Sequence, residues 1–122
     1  FDLYTGECEF VKAGASATFV KQKGKVEKIS STTLPIGVLQ DIEIQTDTRV
    51  LSSGDYVIMV TDGIMDALPV GEQDALMSTF ILDSNIVNPK EMAHHILGQV
   101  LEWTGEVPLD DMTILVVGMW KL

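Results

Sequence analysis

The chain has 122 residues, 46% of them hydrophobic, and carries 18 acids against 8 bases for a net charge of −10. That is one domain or less, with enough apolar residues for a sizeable core, and so acidic a balance argues against nucleic acid or an anionic membrane surface as partner. A single cysteine, Cys8, forbids an intrachain disulfide and suits a reducing cytosol, while the longest apolar stretch, Met112 to Trp120, is far shorter than the roughly 18 residues a membrane-spanning helix needs.

The first third reads as antiparallel strands. Phe1 to Tyr4 and Cys8 to Lys12 flank Thr5-Gly6-Glu7, and Thr18 to Gln22 and Lys25 to Ile29 flank Lys23-Gly24. Both are hairpin spacings with glycine at the turn. Cys8 alternates with apolar neighbours and reads as a small core residue. After an interruption at Pro35 and Gly37, Ile42, Ile44, Thr46, Thr48 and Val50 recur at period two, as in a half-buried strand. Ser52 to Asp55 is a turn, and Tyr56 to Thr61 is nearly all apolar, as a central strand covered on both faces would be.

Helices follow. Gly71 to Leu82 places Ala75, Leu76, Thr79 and Phe80 at helical spacing. Asn88-Pro89-Lys90-Glu91 is a helix start, with Asn as cap, Pro in the first turn and Glu three residues after the cap. Met92, Ile96, Val100 and Trp103 mark one face of that helix, which ends near Gly105. Met112 to Met119 closes as a strand. Neither a repeat nor a low-complexity linker divides the chain, so residues 1–122 read as a single α+β domain with its helices toward the later half.

Two acidic strand ends carry the chemistry. Tyr56-Val57-Ile58-Met59-Val60-Thr61 runs into Asp62-Gly63, and 48 positions after Asp62, Asp110-Asp111-Met112-Thr113 runs into Ile114-Leu115-Val116-Val117. If the two strands are neighbours, both acids reach one edge of a sheet. Carboxylate oxygens there suit Mg²⁺ or Mn²⁺, and water on such a cation is a ready nucleophile for phosphate chemistry. Taken separately, Asp-Gly after a strand is more often a turn, and Asp110-Asp111 after Val107-Pro108-Leu109 is equally readable as a solvated loop.

The order of motifs decides between these readings. Asp2-Leu3-Tyr4-Thr5-Gly6-Glu7, Phe10-Val11-Lys12-Ala13-Gly14-Ala15, Leu34-Pro35-Ile36-Gly37-Val38-Leu39, Ser53-Gly54-Asp55-Tyr56, Thr61-Asp62-Gly63-Ile64-Met65-Asp66-Ala67 and Asp110-Asp111-Met112-Thr113 together resemble the metal-dependent serine/threonine phosphatases of the protein phosphatase 2C type. The branch they most resemble is the bacterial one typified by the sporulation and stress-response phosphatases. The resemblance covers only the second half of that catalytic domain. The first half, with an Asp-Gly pair that binds both metals, has no counterpart here, and the chain starts at Phe1 without Met, so it reads as a C-terminal segment.

The resemblance implies a layered α-β-β-α sandwich of antiparallel sheets with flanking helices, of which this chain holds the C-terminal portion. It implies two Mn²⁺ or Mg²⁺ ions per complete site, holding a water for in-line attack on a phosphoserine or phosphothreonine without a covalent phosphoenzyme. Asp62 aligns with one metal-binding aspartate, Gly63 with the residue that lets backbone approach, and Asp110 with the second ligand. Asp111 stands where relatives often carry Asn and is expected to shape the loop or to bond metal-held waters. Asp66 stands where some relatives place an acid for a third metal; the plainer reading is an acid at a helix start, favoured by the dipole. Gly37 is expected to serve tight packing of the backbone near the cleft, with direct contact to substrate as the lesser reading.

His94 and His95 lie at adjacent helix positions without metal-ligand spacing and read as surface or packing residues rather than as a general acid. Trp103 and Trp120 read as core or cap aromatics. The implied partner is a phosphorylated regulatory protein, an anti-sigma-factor antagonist by analogy with the branch, in the cytoplasm and as the cytoplasmic part of a larger, membrane-attached protein. Alone, the segment is expected to expose sheet edges that favour oligomers or strand exchange and to show little activity. The competing readings are a non-catalytic interaction module with the same fold, and a generic acidic metal-binding domain, which explains the acids but not the other motifs.

Overall fold

The computed structural model describes residues 7–12, 17–29, 45–83, 85–105 and 111–120. Six strands and three helices follow in the order β1 (Glu7–Lys12), β2 (Ala17–Gln22), β3 (Lys25–Lys28), β4 (Gln45–Val50), β5 (Tyr56–Val60), α1 (Asp62–Asp66), α2 (Gln73–Leu82), α3 (Pro89–Thr104) and β6 (Ile114–Gly118). One sheet pairs β1 with β4; the other has the order β3-β2-β5-β6, and all its pairings are antiparallel. Mixed helix and antiparallel sheet is the expected α+β class. The expected arm 1–4 of the first hairpin lies outside the described residues, and the partner seen for β1 is β4, with Glu7 opposite Val50.

The β2–β3 hairpin forms as its spacing requires. Gln22 pairs with Lys25 across a two-residue turn in which Lys23 and Gly24 have φ of 51° and 74°. Two left-handed residues give a turn whose twist matches the strands. Glycine takes the second place without strain.

β5 lies between β2 and β6 and is buried on both faces, as its unbroken apolar run predicts. Strand alternation sends Tyr56, Ile58 and Val60 toward the helices, where they join Ala17 and Phe19, while Val57 joins Val20, Ile29 and Leu51 on the opposite face. The helix side is the larger core. Ile64, Met65, Met77, Phe80, Ile81, Met92, Ile96 and Val100 all pack into it, and burying each such side chain contributes roughly 1.5–3 kcal/mol before entropy is counted.

Helix α3 carries its own start and stop. Asn88 Oδ1 accepts from the amides of Lys90 (2.9 Å) and Glu91 (3.2 Å), Pro89 occupies the first turn, and Gly105 ends the helix at φ 72° while its N–H donates to Leu101 O. Met92, Ile96 and Val100 are fully buried as expected. Trp103, expected on the same face, is 51% exposed, because it lies in the last turn, beyond the helices and strands that cover the other three.

Helix α2 differs more from expectation. It buries Met77, Phe80 and Ile81, while Ala75 and Thr79 are exposed and Leu76 half-buried. Of the four residues picked by spacing, Phe80 and Leu76 do face the core, while Ala75 and Thr79 do not, because apolar residues surround much of this helix. Its C-terminal end lacks a basic residue of its own, and Lys21 Nζ of β2 donates to Ile81 O at 3.2 Å. This places a cation where the helix dipole favours one.

The two edges of the four-stranded sheet are unlike. β3 exposes Lys25 and Glu27, charges that discourage strand addition. β6 is Ile-Leu-Val-Val-Gly with Leu115 53% exposed and, among the described residues, carries no strand on its outer side.

Candidate metal centre

The site is built where β5 leaves the sheet. Val60 pairs with Ile114 at the end of the β5–β6 ladder, and the next residue, Thr61, continues the pairing beyond the strand: its N–H donates to Thr113 O at 3.1 Å. Its side chain works as well. Thr61 Oγ1 accepts from Thr113 N at 3.0 Å and donates to Asp111 O at a longer 3.4 Å. The segment that follows Asp110 is thus joined to the residue that precedes Asp62.

Beyond Thr61 the chain turns at once into α1. Asp62 is its first residue and exposed; Gly63, Ile64 and Met65 are buried beneath. A carboxylate at that position is favoured by the helix dipole. Asp66 closes α1 rather than opening a helix, so the expectation of a dipole-stabilised start does not hold for it; that place belongs to Asp62. Asp62 and Asp66 stand one turn apart, at i and i+4, where like charges repel. Neither has a hydrogen-bonding or ion-pairing side-chain partner among the described residues, whereas Asp74 of α2 pairs with Lys28 at 2.9 Å. Asp111 is also exposed and its backbone joins Thr61, while Asp110 and Gly37 lie outside the described residues.

The donors present are carboxylate oxygens, and two of them are exposed, close in sequence and uncompensated by a base. Such a set fits a hard divalent cation rather than a soft metal. Among the described residues no three of His, Cys, Asp and Glu converge. His94 is exposed and His95 half-buried on α3, with the Nε2 of His95 buried and unpartnered among the described residues, in keeping with packing or surface roles.

Two arrangements had no signal in the sequence. One is the Thr61 junction. The other lies at the opposite end of β5, where Asp55 is buried and its Oδ2 accepts from Ser52 N at 2.7 Å and Gln22 Nε2 at 3.0 Å. The turn motif Ser53-Gly54-Asp55 marks the bend, with Gly54 at φ 92°, but not the burial of its carboxylate. Next to it, the Tyr56 hydroxyl donates to Val87 O at 2.7 Å, and burial pushes its phenol above the usual range. Trp120 stacks edge-on against the Tyr56 ring at 5.5 Å, a cap as expected, though half exposed.

Residues 1–120 match the family model described as stage II sporulation protein E (SpoIIE). The chain belongs to the stage II sporulation protein E family. It is 30% identical over 117 residues to stage II sporulation protein E of Bacillus subtilis (strain 168), covering 95% of this chain and 14% of that protein. The manganese-presoaked phosphatase domain of the same Bacillus subtilis protein superposes with a TM-score of 0.85 at 25% identity, over 99% of this chain and 54% of that one. The serine/threonine phosphatase PstP/Ppp of Mycobacterium tuberculosis shares the fold, with a TM-score of 0.65 at 16% identity over 95% of this chain and 56% of that one. Stage II sporulation protein E chains are therefore relatives of which this chain spans a small part, and the solved phosphatase domain one of which it spans about half.

Proposed function

We propose that this chain supplies the second half of the catalytic domain of a Mn²⁺- or Mg²⁺-dependent protein phosphatase that hydrolyses phosphoserine or phosphothreonine on a regulatory protein. The observation that carries this reading is the junction of Thr61, the residue before Asp62, with Asp111 and Thr113, which follow Asp110 in the chain. The match to a phosphatase domain that was presoaked with manganese supports it.

In this reading Asp62 and Asp110 hold the cations, with Gly63 giving room for backbone approach. Asp66 and Asp111 stand at a third cation or bond the waters around it, and Gly37 packs the cleft backbone. A divalent ion bound there supplies Lewis acidity toward water and toward the phosphoryl oxygens. The chain's own residues do the rest: α1 presents Asp62 to solvent with its dipole aligned, the buried Gly63-Ile64-Met65 fixes α1 on the sheet, and β5 and β6 hold the register between the two acidic ends. The substrate in this reading is a phosphorylated anti-sigma-factor antagonist, met in the cytoplasm, and the rest of the catalytic domain comes from residues outside this chain.

The test is Mn²⁺-dependent release of phosphate from a phosphoserine protein by the full-length protein, beside Asp62→Asn and Asp110→Asn. Both variants keep side-chain shape and remove a charged donor, so folding is retained and turnover lost. Undiminished turnover of both at saturating Mn²⁺ would refute the assignment.

A further inference from the structure

Thr61 stands at the N-cap of α1, where a threonine hydroxyl ordinarily accepts an amide of the first turn. Here it makes no such bond. The hydroxyl is turned instead across the sheet, and both of its hydrogen-bonding capacities go to a segment about fifty positions away: the Thr113 amide donates to it, and it donates to the Asp111 carbonyl. With the main-chain bond from Thr61 N to Thr113 O, three contacts converge on one residue. A residue that forgoes its local cap fixes something else, and what lies on either side of the junction is Asp62 and Asp111.

We propose that Thr61 is a positioning residue, whose hydroxyl sets the spacing between Asp62 and the segment that runs from Asp111 to Thr113, and thereby the affinity for the divalent cation. This rests on the cation reading above. The junction acts on the donors as partners behind metal ligands generally do, by restricting where those ligands stand before the ion arrives. Thr61 itself is half-buried and needs no contact with the ion. Valine keeps its branched shape and loses the hydroxyl, whereas serine keeps the hydroxyl and loses the methyl group.

The decisive measurement is Mn²⁺ titration of the full-length protein, with the free aquo ion followed by electron paramagnetic resonance. Thr61→Val is expected to weaken binding about tenfold, and Thr61→Ser to bind as the parent does. Parent-like binding by the valine variant, or valine-like loss in the serine variant, overturns the proposal. Asp62→Asn separates this inference from the reading beneath it: if that variant loses Mn²⁺ while Thr61→Val keeps it, only the role of Thr61 falls, and if it binds as the parent does, the cation reading falls and takes this inference with it. A second measurement needs no substitution. Coupling is reciprocal, so Mg²⁺ added to the unaltered protein slows hydrogen exchange at the Thr113 amide, and an exchange rate indifferent to Mg²⁺ overturns the proposal even if the valine variant does not fold.

Discussion

Strand β5 has an aspartate just outside each end, and the two are treated in opposite ways. Asp55, before Tyr56, is buried and accepts from Ser52 N and Gln22 Nε2. Asp62, after Thr61, is exposed and bonded to no described side chain, although the backbone around it is held by three contacts. At one end the carboxylate fastens the turn; at the other the fastening is done by a threonine, which leaves the carboxylate free. A charged side chain that the fold does not use, set on backbone that the fold holds firmly, is what a ligand site requires and a structural site does not.

The largest expected effect tests the free end. Asp62→Asn in the full-length protein loses more Mn²⁺-dependent turnover than the roughly 10–100-fold that changes behind a metal ligand cost, while its thermal midpoint stays close to the parent's, since exposed substitutions usually shift stability by less than about 0.5 kcal/mol. A variant that unfolds readily would make Asp62 a structural residue like Asp55 and end the contrast.

The fastened end should show the reverse. Asp55→Ala leaves the Ser52 amide without its acceptor and is expected to cost about 2 kcal/mol in urea unfolding, with Mn²⁺ affinity of the folded protein unchanged. Lowered affinity would mean that the two ends are not independent.

Two smaller changes sharpen the same end. A methyl group at Gly118 would run into the Trp120 ring and crowd Tyr56. Gly118→Ala is therefore expected to cost about 1 kcal/mol, at the low end for overpacking because the half-exposed Trp120 can swing away, and to shift tryptophan emission to the red. Unchanged emission would show that Trp120 does not rest on Gly118.

Tyr56→Phe removes the bond to Val87 O and is expected to cost about 1 kcal/mol near neutral pH. Because burial raises the folded phenol's pKa, the neutral form is the one that the fold favours. Its contribution is fully present below the unfolded value of about 10 and is lost as pH rises through the folded value. The parent should thus lose stability on going from pH 9 to 11 more steeply than Tyr56→Phe does; equal slopes in urea titrations would contradict this.

The elements legible in the sequence are those whose determinants are local. Asn88-Pro89 and Gly105 bound α3, Lys23-Gly24 sets the β2–β3 turn, and the apolar run of β5 announces a strand covered on both faces. The stripe of α2 was legible only in part, through Leu76 and Phe80, because a helix apolar on several sides takes its orientation from what it packs against. Trp103 was misplaced, and of the two readings of Asp66 the helix-start one fails, for a related reason: which turn of a helix reaches the core, and where a five-residue helix stops, depend on neighbours far away in sequence. Of the candidate site, Asp62 and Gly63 were legible as a motif at a strand end. The Thr61 junction was not, since a hydrogen bond across 52 positions leaves no local pattern.

That separation also imposes an order in time. A growing chain exposes Thr61 well before Thr113 exists, and at synthesis rates of about 5–20 residues per second the interval for 52 positions is roughly 3–10 s. During it β5 can pair with β2 and α1 can settle, but the hydroxyl of Thr61 has nothing to hold. Any polypeptide released within that interval, or cut between α3 and β6, lacks the junction altogether. Among the described strands β6 is made last, so a molecule cut short before it has no partner for Thr61 by its own topology.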